Sequence, residues 1–127
     1  MDKNTIDKKA IFYIDEEGDS PVEEFLDRLD ESARAKITAR IEFLGKHWHQ
    51  VRRPLVDYLE NGLYELRVQF AKDKVRVIYA YMFKDYIVLL HGIIKRSAKV
   101  PENDKTIAKQ RRIHFEKLVK EGRVKLP

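Results

Sequence analysis

The sequence predicts an α+β domain: a mostly antiparallel sheet packed by a helical hairpin, with its elements in the order β-α-α-β-β-β-α. Three observations predict it. Apolar residues recur at helical spacing between Val22 and Trp48. Three strand-like runs then follow one another from Leu63 to Arg96, joined by connections of hairpin length. A helical, strongly basic segment closes the chain. At 127 residues the whole chain, 1–127, reads as a single domain with a core of its own.

The elements are justified in order. KKAIFYID, from Lys8 to Asp15, is short and rich in Ile, Phe and Tyr, and EEGD stops it, so it reads as a strand. Ser20-Pro21-Val22-Glu23 has the pattern of a capping box, with Ser at the N-cap, Pro at the first helical position and Glu at the third. The helix it opens carries Val22, Phe25, Leu26 and Leu29 on one face. Asp30-Glu31-Ser32 punctuates, and a second helix puts Ala33, Ile37, Ile41, Leu44 and Trp48 on one stripe. The stretch from Val51 to Gly62 reads as a loop with a turn at Asn61-Gly62. Strands are expected at Leu63–Phe70, Val75–Met82 and Tyr86–Arg96, the last apolar on both faces and therefore interior. The basic C-terminal helix spans Pro101 to about Glu121, with an uneven apolar stripe and a stop at Gly122.

Composition narrows the function classes. Without cysteine, neither disulfides nor thiolate metal sites are available, which fits a reducing cytoplasm. The N-terminal MDKNTIDKK is polar, unlike a signal peptide, and the longest apolar run, Tyr86 to Ile94, is too short to span a membrane. A soluble, cytoplasmic protein without membrane contact is expected. The charge is lopsided. Residues 1–63 carry 10 Lys and Arg against 14 Asp and Glu, whereas residues 64–127 carry 16 against 7. A half this basic points to a polyanion, with nucleic acid first.

LYELRVQFAKDKVRVIYAYM raises a question, because Glu65, Arg67 and Arg76 interrupt residues that want to be buried. Alternation puts Glu65, Arg67 and Gln69 on one face, and Tyr64, Leu66, Val68 and Phe70 on the other. With AKDK as the loop, Gln69 is expected opposite Arg76, Arg67 opposite Ile78, and Glu65 opposite Ala80. The second face, with Val75, Val77, Tyr79 and Tyr81, is free to pack on the helical hairpin. His91 and Lys95 share a face of the third strand. A partly covered face with Glu, two Arg, His and Lys suits phosphodiester chemistry. Attack of a 2′-hydroxyl on its neighbouring phosphate needs a base, positive charge for the pentacovalent phosphate, and an acid for the leaving 5′-oxygen. Arginine forks match phosphate oxygens, and Lys or His transfers protons when its pKa is tuned. No metal or cofactor is required.

At these residues the sequence resembles the RelE/ParE superfamily of toxins, and within it the HigB-like, phage-derived branch of type II toxin–antitoxin toxins. The resemblance rests on Leu63-Tyr64-Glu65-Leu66-Arg67, Val75-Arg76-Val77-Ile78-Tyr79, Leu89 to Ser97 with His91 and Lys95, and Lys99-Val100-Pro101 before a helix with Ile107-Ala108-Lys109. It implies a RelE-like fold and a metal-independent endoribonuclease that cuts mRNA on the ribosome and so inhibits translation. A cognate helix-turn-helix, HigA-like antitoxin would neutralise it. Carried over by position, Arg67 and Arg76 are the arginines of the two central strands and hold the scissile phosphate. Lys95 or Glu65 handles the 2′-hydroxyl proton, and His91 or Lys95 is the acid, the alternative for His91 being a core histidine hydrogen-bonded to backbone. Arg96, Lys99, His91, Arg111 and Arg112 are the expected RNA or ribosome contacts. The superfamily also contains ParE-like inhibitors of DNA gyrase, and the same fold suits a catalytically inert RNA-binding or regulatory module. His47 and His49 do not share a helix face and have no third ligand, so a metal is not expected there. Tyr79 and Trp48 are expected in the core, Arg52-Arg53 near RNA or in a solvated loop, and Asp57, Tyr58 and Glu60 in a loop.

Overall fold

The computed structural model describes residues 6–127, so the first half of the polar N-terminal segment lies outside the described residues. Eight elements follow in chain order: β1 (Lys9–Phe12), α1 (Pro21–Asp27), α2 (Glu31–His47), β2 (Val56–Glu60), β3 (Leu63–Phe70), β4 (Asp73–Met82), β5 (Tyr86–Lys95) and α3 (Glu102–Lys120). They form one sheet in the order β1-β5-β4-β3-β2, antiparallel except that β1 runs parallel to β5. The order is therefore β-α-α-β-β-β-β-α, one strand more than the sequence predicts. The stretch expected to be a loop contains β2, an edge strand that pairs with β3 across Asn61 and Gly62, both at positive φ. Among the described residues no helix is long and apolar enough to cross a membrane.

The helical hairpin lies on one face of the sheet. Val22 and Leu26 of α1 and Ile37, Ile41 and Leu44 of α2 bury against Leu66, Val68, Val75, Val77, Tyr79, Ile87 and Leu89. Tyr79 is fully buried there, as expected. Trp48 caps the C-terminus of α2, packs against this core, and donates its indole N–H to the Ile6 carbonyl at 3.0 Å. The capping box does not form. Ser20 sits at the N-cap of α1, but its buried hydroxyl caps no amide and has no partner. The working cap belongs to α2, where Asp30 Oδ1 accepts from Ser32 N at 2.8 Å and Ala33 N at 3.2 Å.

The close seat of α2 depends on Gly45. Its carbonyl accepts from Lys8 N at 2.9 Å, and a Cβ there would stand 2.6 Å from the Lys8 carbonyl oxygen. Backbone cannot yield as a side chain does. Glycine-to-alanine inside a helix usually stabilises by about 1 kcal/mol. Gly45→Ala is expected instead to lose about 1–3 kcal/mol through overpacking, read as a lower urea midpoint.

α3 lies on the opposite face. Ala108 and Phe115 pack with Leu63, Ile78, Ala80, Met82, Val88 and Leu90. Its uneven stripe has a plain cause: Ile113 is 68% exposed, while Ala108, Phe115 and Leu118 are buried. Polar ties hold the helix down. Lys105 and Lys109 both reach Glu60 at the end of β2. Arg112 Nη1 donates to the Asn61 carbonyl at 2.6 Å. Glu16 meets His114 Nε2 at 2.7 Å, and Tyr13 Oη meets His114 Nδ1 at 2.6 Å.

The β3–β4 connection is a two-residue turn, Ala71-Lys72, with Ala71 at φ 52°, and not the four-residue AKDK loop. Pairing is therefore two residues from the expectation: Glu65 lies opposite Ile78, Arg67 opposite Arg76, and Gln69 opposite Lys74. A shift of two conserves every face but changes every neighbour.

Candidate functional site

β3, β4 and β5 bring the charged residues onto the α3 side of the sheet. The registers place Glu65 beside Ile78 and His91, Arg67 beside Arg76 and Ile93, and Gln69 beside Lys74 and Lys95. α3 and its polar ties cover the first of these rows. At their centre, Glu65 Oε1 and Arg76 Nε stand 2.9 Å apart, with side chains only 7% and 6% exposed. Neither atom has an aligned hydrogen-bond partner, so the pair is an ionic contact. Arg76 also donates Nη1–H to the Val75 carbonyl at 3.0 Å. Burial lowers the Arg76 pKa, the Glu65 carboxylate opposes that, and Arg67 adds to it.

Two clefts meet at Arg67. One, of about 340 Å³, lies between the end of β2, the sheet face, the loop after β5 and the start of α3. Glu65, Arg67, Lys95, Lys99 and Lys105 line it, with Asp57 and Arg53 at the rim. Arg53 Nη2 holds Asp57 Oδ2 at 2.8 Å, which keeps the Asp57 carboxyl below its usual range. The Lys95 amine is pushed down by burial and then by the Arg76 guanidinium. The second cleft, of about 370 Å³, runs round the free edge of β3 beyond the start of β2. Arg67 and Arg76 line it together with Gln69, Pro54, and Lys36 and Arg40 of α2.

Four of the expected residues, Glu65, Arg67, Arg76 and Lys95, thus converge, and Lys99 lies at the same cleft. Arg96 is exposed on the loop after β5 and lines neither cleft. His91 is taken up elsewhere. Its Nε2 meets Asp104 Oδ1 at 2.7 Å and its Nδ1 meets Arg111 Nη1 at 3.0 Å. A guanidinium only donates, so Nδ1 accepts and Nε2–H points to Asp104. Burial, against the pull of Asp104, lowers the His91 pKa and keeps this neutral tautomer. His91 is therefore held by side chains of α3, away from both clefts. Arg111 spends its other contact on the Leu90 carbonyl at 2.9 Å. With Arg112 on Asn61, the two arginines expected to meet RNA both tie α3 to the sheet.

Sequence reading missed Lys36, Arg40 and Asp57; Arg53, expected near RNA, stands at the rim of the first cleft, and Lys105 of the basic C-terminal helix lines it. The Arg53–Asp57 spacing of four and the Lys36–Arg40 spacing of four were the available signals. The clefts can grip a polyanion, supply a carboxylate base and supply an ammonium acid. Among the described residues no group of three or more His, Asp or Glu converges as a metal site. Residues 24–112 of the chain match a family model described as phage derived protein Gp49-like (DUF891). Comparison with curated proteins gives no match.

Proposed function

We propose, from the premise that this chain belongs to the phage-derived Gp49-like family, that it is the toxin of a type II toxin–antitoxin system and cuts mRNA on the ribosome. The family is one of RelE-like toxins. One observation carries the nuclease reading: Arg67 and Arg76 stand directly opposite each other on neighbouring strands, beside Glu65 and Lys95. Like charges so placed repel. Glu65 compensates Arg76, and an anion seated at Arg67 would compensate the other charge.

The geometry suggests the roles. Arg67, only partly buried and lining both clefts, holds the scissile phosphate through its fork. Arg76 supports the charge from beneath and fixes Glu65. The Glu65 carboxylate takes the proton of the 2′-hydroxyl, whose oxygen bonds to phosphorus. The bond from phosphorus to the 5′-oxygen breaks, and that oxygen leaves with a proton from Lys95. The products are a 2′,3′-cyclic phosphate and a 5′-hydroxyl end. A Lys95 pKa below the usual range makes the ammonium a better acid. The partner is a cognate helix-turn-helix antitoxin of the HigA-like kind.

Induced expression with mapping of mRNA 5′ ends tests this. Growth arrest with new 5′-hydroxyl ends inside codons is expected, and Lys95→Met is expected to lower cutting about 10²–10⁴-fold. Arrest of replication with DNA damage and no new RNA ends would assign the protein to gyrase inhibition instead.

A further inference from the structure

The cleft at the edge of β3 adds two cations of α2 to the arginines used above, and unlike the other cleft it is lined by no carboxylate. Its cations are Lys36, Arg40, Arg67 and Arg76. Among the described residues neither Lys36 nor Arg40 forms an ion pair; Lys36 Nζ donates to the Gln69 carbonyl, which leaves its charge uncompensated. Lys36 and Arg40 are four apart on α2, so they stack on one face about 6 Å apart along the axis. The cleft continues into the other through Arg67. A band of cations therefore runs from Lys95 over Arg67 and round the sheet edge to α2.

We propose that this edge cleft is a second phosphate subsite, where Lys36 and Arg40 hold the backbone of single-stranded RNA next to the phosphate seated at Arg67. The inference rests on the nuclease reading and adds the direction in which substrate leaves the site. It gives to α2 the role that composition had suggested for the C-terminal helix. Cations that hold phosphates act without regard to base identity, so binding here is independent of sequence.

The test measures binding of a short, uncleavable 2′-O-methyl oligonucleotide over a range of salt. Each single-strand phosphate contact contributes about 0.7 to the slope of log K against log salt. Lys36→Gln/Arg40→Gln is expected to bind more weakly and to reduce that slope by about 1.4. The charge-reversed pair Lys36→Glu/Arg40→Glu is expected to bind more weakly still, with thermal melting as the control for folding. An unchanged slope in a folded variant would overturn the subsite while leaving the nuclease reading intact. If wild-type protein neither binds the oligonucleotide nor cuts mRNA, the nuclease reading falls and the subsite with it. If the folded variants keep oligonucleotide binding but lose binding of poly-glutamate, the cleft belongs to an acidic protein segment and the proposal is wrong.

Discussion

Arg67→Ala is expected to lower mRNA cutting about 10²–10³-fold while leaving the fold as stable as before or slightly more so. Arg67 lies directly opposite Arg76 on the neighbouring strand, and its charge depresses the pKa of that buried guanidinium. Removing it relieves a like-charge pair, a gain of a few tenths of a kcal/mol by the usual cross-strand magnitudes. Loss of a positioned charge on a developing oxyanion costs about 10²–10³-fold in rate. The two readouts therefore move independently, or in opposite directions. Urea midpoints and mapped mRNA ends on the same two proteins check both. A variant that is clearly less stable would show that Arg67 holds the sheet together and is not there for a ligand.

The Glu65–Arg76 pair is expected to behave in the opposite way. Both side chains are almost wholly buried. Removing one leaves the other charge without its partner in the interior, which costs about 3–5 kcal/mol. That is a large part of the roughly 5–15 kcal/mol available to a domain. Glu65→Ala and Arg76→Ala should each lower the urea midpoint sharply and reduce activity partly through unfolding. Glu65→Leu/Arg76→Met together should recover most of the stability, since paired apolar replacement of a buried ion pair is often neutral or better. The double variant should still cut no mRNA. Recovery of cutting with stability would make the pair purely structural. A consequence for experiment follows: loss of toxicity in Arg76→Ala alone does not separate chemistry from folding.

The two strands that carry these charges were legible in part. Period-2 alternation assigned Glu65, Arg67, Gln69 and Arg76 to one face, and the pleat makes that assignment robust. Alternation carries no information on register, and the turn at Ala71 required a left-handed backbone at a residue that does not advertise one. The error of two residues hid the Arg67–Arg76 opposition, the most informative contact of the site. β2 was missed because VDYLE has two acids among five residues and reads as polar, although Asn61-Gly62 before a strand is a strong hairpin signal. Ser20 fitted the capping pattern, yet its hydroxyl turned inward and Asp30 made the cap that is used. Nothing local distinguishes a cation at a cleft from one tying down a helix. Arg111 and Arg112, expected at RNA, tie α3 to the sheet, whereas Lys36 and Arg40, which drew no reading from the sequence, line a cleft. Only the tertiary placement of α2 and α3 separates them.

The parallel pairing of β1 with β5 sets the order in which the chain can assemble. Lys9 ends beside Tyr86, whereas β2, β3, β4 and β5 each pair with a neighbour in sequence. Loop-closure entropy favours the local meander and delays the distant partner. On a translating ribosome the helical hairpin emerges before β2 to β5, with Val22, Leu26, Ile37, Ile41 and Leu44 awaiting a sheet not yet made. Lys95 ends the last strand, and Lys99 and Lys105 follow it. Nascent chains that stop short of β5 thus hold Glu65 and Arg67 without the lysines that complete the cleft. The cleft is complete only once β5 and the start of α3 have joined the meander.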